Sequence, residues 1–338
     1  MNVLSVGYPL FPVTPDAAGG AEQILSLLDR GLTARGHRSM VVAAQSSRVE
    51  GELVETPAAP DEITDAVRAK AEEAHAAAIH RALDQFPADI LHFHGLDFHA
   101  YIPDRPLPKL ATMHLPLAWY PEHVFALRDV TLCCVSQNQA GTSPNGLRLP
   151  VVPNGIDLGR YRPAALRGDY LLWLGRICPE KGAAIALRVA HHLDARLIVA
   201  GPVHPFGSHH AYFSEQVAPL LDEKRCWIGP VGRERKAQLL AEARCVLIPS
   251  LAPETGSLVA MEALASGTPV IAFRAGALPE IVESGVTGFV VDSEAEMAQA
   301  VDQTVTISSA RCREEALRRF DAARMAQQYI NLYRDLLA

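Results

Sequence analysis

A chain of 338 residues is long enough for two domains and too long for one comfortable core. Its 49% hydrophobic and 20% charged content is ordinary for a globular protein. The formal net charge of −7 argues against a general binder of nucleic acid or anionic membrane, while leaving room for a local basic patch that holds a phosphate.

The six cysteines show no CxxC pair and no regular spacing, which points to free thiols in a reducing cytoplasm. No signal peptide and no membrane-spanning run is expected. In chain order, residues 2–7 read as a buried parallel strand. The loop YPLFPVTPDAAGG ends in Gly19 and Gly20 and opens a helix over 21–34, with Leu25, Leu28 and Leu32 on one face and Gly36 as its stop. Such glycines let a ligand's oxygens approach the backbone at a helix end that favours negative charge. On the dipeptide alone, a flexible loop with a glycine cap is the plainer reading.

Residues 39–44 return as a strand and complete a βαβ unit. A turn over 56–62, an alanine-rich helix over 61–85, and strands at 89–94, 110–114, 130–135 and 149–152 follow. His92, His94, His99 and His114 invite a metal reading, but no acidic or cysteine ligand joins them at a familiar spacing, so none is expected. The seam VVPNGIDLGRYRP places a boundary within 157–168, where Asn154, Gly155 and Asp157 are good turn formers.

The alternation then restarts: strand 170–174, helix 181–193, strand 196–200, helix 210–221, a strand near 226, helix 233–243, strand 245–249, helix 258–265 and a further strand. Helices over 293–303, 308–319 and 321–337 close the chain. This pattern predicts two Rossmann-like doubly wound parallel sheets, domains 1–157 and 158–320, with ligands at the strand carboxyl ends in a crevice between them.

The stretch PSLAPETGSLVAMEALASGTPVI (249–271) carries the densest chemistry. Its helix is marked by Ser257 at the start and Gly267 and Pro269 at the stop. Glu262 is the only charge on that helix and lacks a polar face, so it needs a cation or hydroxyl donors, from the protein or from a ligand. Glu254, Thr255, Gly256 and Ser257 put a carboxylate and backbone N–H groups at the helix N-terminus, a place that favours phosphate. Two carboxylates flanking an anion site suit the hydroxyls on either side of a diphosphate, one for a ribose and one for a sugar. In LGRICPEKG, Arg176 offers a two-pronged grip on phosphate and Lys181 a point charge; the plain alternative is a solvated cap paired locally with Glu180.

The Glu254-x7-Glu262 spacing, the trailing ALASGTPVI and GALPEIV, together with GR-x4-KG, PNGID and GGAE, resemble the retaining glycosyltransferases of family 4, which have the GT-B fold. The resemblance implies that Glu262 holds the ribose hydroxyls and Glu254 the donor sugar, with amides of Gly256, Ser257 and Leu258 near the phosphate. It implies that Arg176 and Lys181 stabilise the departing diphosphate. By the same likeness His114 lies beside the transferred sugar, Gly19 and Gly20 lie near the diphosphate and the acceptor, and helix 321–338 crosses back to the first domain. The catalytic set is then His114, Arg176, Lys181 and Glu254. Retention in the family is explained by front-face attack, a donor phosphate oxygen taking the acceptor's proton.

Two departures stand out. The family often has a GxG-like turn where this chain has AGPVHPFGSHHAY, and little chain between 44 and 61 is available to build an acceptor wall, which implies a small or open-ended acceptor. The expectation is a cytoplasmic, metal-independent enzyme with no cofactor beyond its sugar nucleotide. It would move a sugar, first of all from a UDP-linked donor, to an unidentified hydroxyl acceptor. A sugar-nucleotide epimerase of the same fold and a non-catalytic sugar-nucleotide binding subunit are the alternatives. A nicotinamide dehydrogenase is disfavoured, because GYPLFP and not GxGxxG follows the first strand. Nor are Glu254 and Glu262 the acid and base of a glycosidase, since a nucleoside diphosphate needs countercharge and not protonation.

Overall fold

The computed structural model describes residues 1–17, 19–58 and 63–338. Most of the turn expected over 56–62 and the first residues of the helix expected from 61 lie outside the described residues. The elements run β1 (Asn2–Val6), α1 (Gly20–Thr33), β2 (Arg38–Ala44), β3 (Glu52–Thr56), α2 (Asp65–Gln85), β4 (Ile90–Phe93), β5 (Lys109–Thr112), β6 (Val130–Cys133) and α3 (Gln137–Gly141). Then come β7 (Leu171–Leu174), α4 (Ala183–His192), β8 (Leu197–Ala200), α5 (Gly207–Tyr212), β9 (Arg225–Trp227), α6 (Arg233–Glu242), β10 (Cys245–Ile248) and α7 (Leu258–Ala265). The chain ends through β11 (Val270–Phe273), α8 (Leu278–Ile281), β12 (Gly288–Val291), α9 (Glu294–Gln303), α10 (Ser309–Arg319) and α11 (Ala322–Leu337).

Two compact units result, Met1–Gly155 with Ala322–Ala338, and Ile156–Asp321. The first holds a six-stranded parallel sheet in the order β3-β2-β1-β4-β5-β6. The second holds another, β12-β11-β10-β7-β8-β9. Counted from the first strand of each unit, both orders are the 3-2-1-4-5-6 of a doubly wound sheet, so the expected fold class is the observed one. Each sheet has its own core. Leu4, Val42, Leu91, Phe93 and Ala111 anchor the first, and Leu171, Trp173, Val199, Leu247 and Ile271 the second.

In the first unit α11 buries Met325, Ala326, Tyr329, Ile330 and Tyr333, a stripe at helical spacing, and packs on α1. Gly31 makes the approach feasible, because a Cβ there would overlap the side chain of Ala326.

Some elements depart from expectation. β3 and β12 have no counterpart among the predicted elements. β3 is an edge strand of partly exposed, charge-flanked sequence, so its apolar signal is diluted. The strand expected at 149–152 is reduced to one bridge between Val151 and Cys134. The helix expected over 210–221 is broken into α5, a π turn at Phe213–Val217 and a 3-10 turn at Ala218–Leu220, where Pro219 removes a backbone donor. No helix among the described residues is long and apolar enough to cross a membrane.

Candidate functional site

In a doubly wound sheet the strand order reverses at one point, and a crevice opens there at the carboxyl ends. In the second unit that point lies between β7 and β10. Arg176 and Lys181 sit on the loop after β7, and Glu254 on the loop after β10.

Lys181 donates from Nζ to Glu254 Oε1 at 2.6 Å, and the Ser250 hydroxyl donates to the same oxygen at 2.6 Å. Burial alone would push the Glu254 carboxyl up. Lys181, Ser250 and the charge of Arg176 outweigh it and hold the group below the usual carboxylate range, so it is ionised at neutral pH.

Backbone packing fixes this geometry. Gly182 starts α4 in the left-handed region (φ 68°), and a Cβ on it would overlap the carbonyl of Pro249 at the end of β10. The Lys181 carbonyl is held by Trp173 Nε1 at 3.1 Å. Beyond β10, Gly276 (φ 58°) lies so close to the Glu254 backbone that no side chain fits, and Ala277 N–H donates to the Glu254 carbonyl at 2.7 Å.

Glu262 lies inside α7, with only 1% of its surface exposed. Its Oε1 accepts from Lys236 Nζ on α6 at 2.6 Å and from the Tyr161 hydroxyl at 2.7 Å. Part of the required partner is thus protein. Burial, then the neighbouring carboxylate, keep the Tyr161 phenol protonated far above its ordinary range. Glu262 Oε2 is equally buried and has no hydrogen-bond partner among the described residues. Lys236, Tyr161 and Ser250 escaped the sequence reading; only the unpaired charge on α7 signalled that such partners had to exist.

Ser257 occupies the N-cap of α7 with extended backbone, but its hydroxyl makes no capping bond to the helix. Thr255 and Gly256 form the turn before it, and Ser257 and Leu258 are buried. Alongside, 200–212 replaces the GxG-like turn with a segment carrying three imidazoles, His204, His209 and His210. Burial, then the charge of Arg176, depresses both His204, to about 4, and His209.

In the first unit the switch point lies between β1 and β4. Gly19 is the N-cap of α1 and Gly20 its first residue; the Glu22 carboxylate folds back over Gly19, where a Cβ would overlap it. His94 Nδ1 and His114 Nε2 are hydrogen-bonded at 2.9 Å. Burial lowers His114 to about 4 and His94 well below its ordinary value, so both rings are neutral at pH 7. Behind them His92 bridges the Tyr333 hydroxyl and Thr112 Oγ1, each at 2.7 Å, and Thr112 in turn meets the Tyr329 hydroxyl.

Comparison with known proteins gives these residues a context. The family described as Glycosyltransferase Family 4 matches residues 18–160, and that described as Glycosyl transferases group 1 matches residues 168–306. The D-inositol 3-phosphate glycosyltransferase of Mycobacterium sp. (strain KMS) is 36% identical over 188 residues, covering 50% of this chain and 42% of that protein. The match therefore spans less than half the length of that relative. Among solved structures, AviGT4, a glycosyltransferase involved in avilamycin A biosynthesis, superposes with a TM-score of 0.76 at 28% identity, covering 100% of this chain and 98% of that one. Anabaena HepE in complex with UDP-glucose shares the fold at a TM-score of 0.76 and 20% identity, covering 99% of this chain and 100% of that one.

Proposed function

The chain belongs to the family 4, group 1 glycosyltransferases, and from that premise we propose that it transfers a sugar from a nucleoside diphosphate donor to a hydroxyl acceptor with retention. The donor proposed first is UDP-linked, the nucleotide in the HepE complex. The observation that carries the reading is the pairing of two kinds of group at one switch point. An ionised Glu254 is locked to Lys181 beside Arg176, and Glu262 keeps one buried oxygen without a hydrogen-bond partner among the described residues.

In this reading the acceptor oxygen attacks the anomeric carbon on the face the diphosphate leaves. The carbon–oxygen bond to phosphate breaks, its electron pair passes to the phosphate oxygen, and that oxygen takes the acceptor's proton. Arg176 and Lys181 meet the developing charge, so the step uses no metal and no further cofactor. Glu254 accepts from the sugar hydroxyls, Glu262 from the ribose, and the turn Thr255–Gly256–Ser257–Leu258 supplies amides to the phosphate. Neutral His114, steadied by His94, is assigned to the sugar, and Gly19 and Gly20 to the diphosphate and acceptor, with the Glu22 carboxylate that covers Gly19 swinging aside to admit them. The matched relatives are named as transferases, which favours this reading over an epimerase or a binding subunit.

The test is a pair of variants assayed with UDP-, GDP-, ADP- and dTDP-sugars. Glu262→Ala abolishes donor-induced thermal stabilisation, whereas Arg176→Ala keeps it and lowers kcat about 100-fold, the usual scale for losing one preorganised charge stabiliser. Unchanged donor affinity and rate in both variants would overturn the assignment. The anomeric configuration of the product, read by NMR, decides retention.

A further inference from the structure

The segment 200–212, AGPVHPFGSHHAY, is left without a task by the transfer reaction. Its helix α5 brings a ring nitrogen of His209 within 4.8 Å of both the Cys178 sulfur and a Glu180 carboxylate oxygen, and those two atoms are as close to one another. We propose that Cys178, Glu180 and His209 form a binding site for a borderline divalent cation of the Zn2+ type, which staples the β8–α5 segment to the loop carrying Arg176 and Lys181.

The donor set selects the ion. A thiolate, an imidazole and a carboxylate suit zinc, at about 2.0–2.3 Å each, whereas magnesium and calcium prefer oxygen alone. A tetrahedral ion with those bonds holds its ligand atoms about 3.3–3.6 Å apart. The three side chains therefore need to draw together by at most about 1.5 Å.

A second, independent observation points to a ligand. His209 Nδ1 is buried and has no hydrogen-bond partner among the described residues, a state that is costly unless something satisfies it. The backbones are already laced, with Gly175 N–H donating to the Ala200 carbonyl at 3.0 Å and Ile177 N–H to the Pro202 carbonyl at 2.9 Å. Cation binding then needs side-chain movement and no rearrangement of the sheet. Cys178 is buried and Glu180 exposed, which leaves the carboxylate side open for entry and a fourth position for water. The cation takes no part in the transfer step; it sets the stiffness of the loop.

Chelator-treated protein titrated with Zn2+ against a chromophoric chelator should bind one equivalent, with affinity rising with pH as the thiol proton is displaced. Co2+ should give thiolate-to-cobalt absorption that disappears in Cys178→Ala. Glu180→Ala, at an exposed position that does not threaten folding, and His209→Ala should each weaken binding at least about tenfold, while Cys226→Ser, at the one exposed cysteine, should not. Absence of stoichiometric binding, equal binding by the Glu180 and His209 variants, or cobalt absorption lost only in Cys226→Ser overturns the site.

Discussion

Glu262 and Lys236 meet where only 2% of one side chain and 18% of the other is exposed, so the carboxylate cannot fall back on solvent if its partner is removed and the ammonium can do so only in part. Lys236→Met takes away the cation and leaves the carboxylate with the Tyr161 hydroxyl alone. Breaking such a pair from one side costs about 3 kcal/mol, near the low end for buried pairs because Lys236 is not wholly enclosed. Urea unfolding should show that loss, and Lys236→Met with Glu262→Gln should recover most of it. A Lys236→Met protein as stable as the parent would mean that the Lys236–Glu262 pair does not hold α6 to α7. The charge on α7 was legible in the sequence because nothing polar lay near it in the helix. Its partners were not, because Lys236 lies 26 and Tyr161 101 residues away and only the fold brings them together.

At the scale of elements, α11 is joined to β4 and β5 by hydroxyls as well as by its apolar stripe. Tyr333→Phe leaves His92 Nδ1 buried without its 2.7 Å partner, which costs about 1–3 kcal/mol and lowers the urea midpoint. The same unit carries an acid sensitivity. Burial holds His92 and His94 well below the ordinary imidazole range, and His75 and His114 down to about 4. In the unfolded chain these rings take up protons as pH drops through about 6.5. Between there and their folded values the unfolded state binds more protons, so stability falls as pH falls and is restored above 6.5. Asp97, pushed up to about 6 by burial, has the opposite sign and offsets one of the four. A urea midpoint flat between pH 7.5 and 5 would contradict the burial of these rings. What the sequence conveyed at this scale follows burial: β7 and β10 are continuous apolar runs and α7 is apolar but for Glu262, all with clear stops, whereas β3 mixes charges into an edge. The break after α5 depends on one proline in an otherwise helical pattern.

For the whole molecule, two units repeat one strand order on unrelated sequences, and this repetition was visible in the alternation of apolar runs even where individual strands were missed. The second unit is continuous from Ile156 to Asp321, whereas the first needs the returning α11 to complete it. Ile156 N–H donates to the Phe320 carbonyl at 2.8 Å, and Ile156 and Asp321 form a parallel bridge, so the two ends of the second unit run side by side. Arg176, Lys181, Glu254, Thr255, Gly256, Ser257, Leu258 and Glu262 all fall within it, while Gly19, Gly20 and His114 do not. Residues 156–321 expressed alone should therefore unfold cooperatively and bind a donor without transferring its sugar. At a donor concentration of about 100 Kd the stabilisation should approach 2.7 kcal/mol, as in the full chain, because ligand linkage depends only on the unit that binds. A fragment that folds but is not stabilised by any donor would show that groups of the first unit supply the binding free energy, and Glu262 would lose its place as its main source.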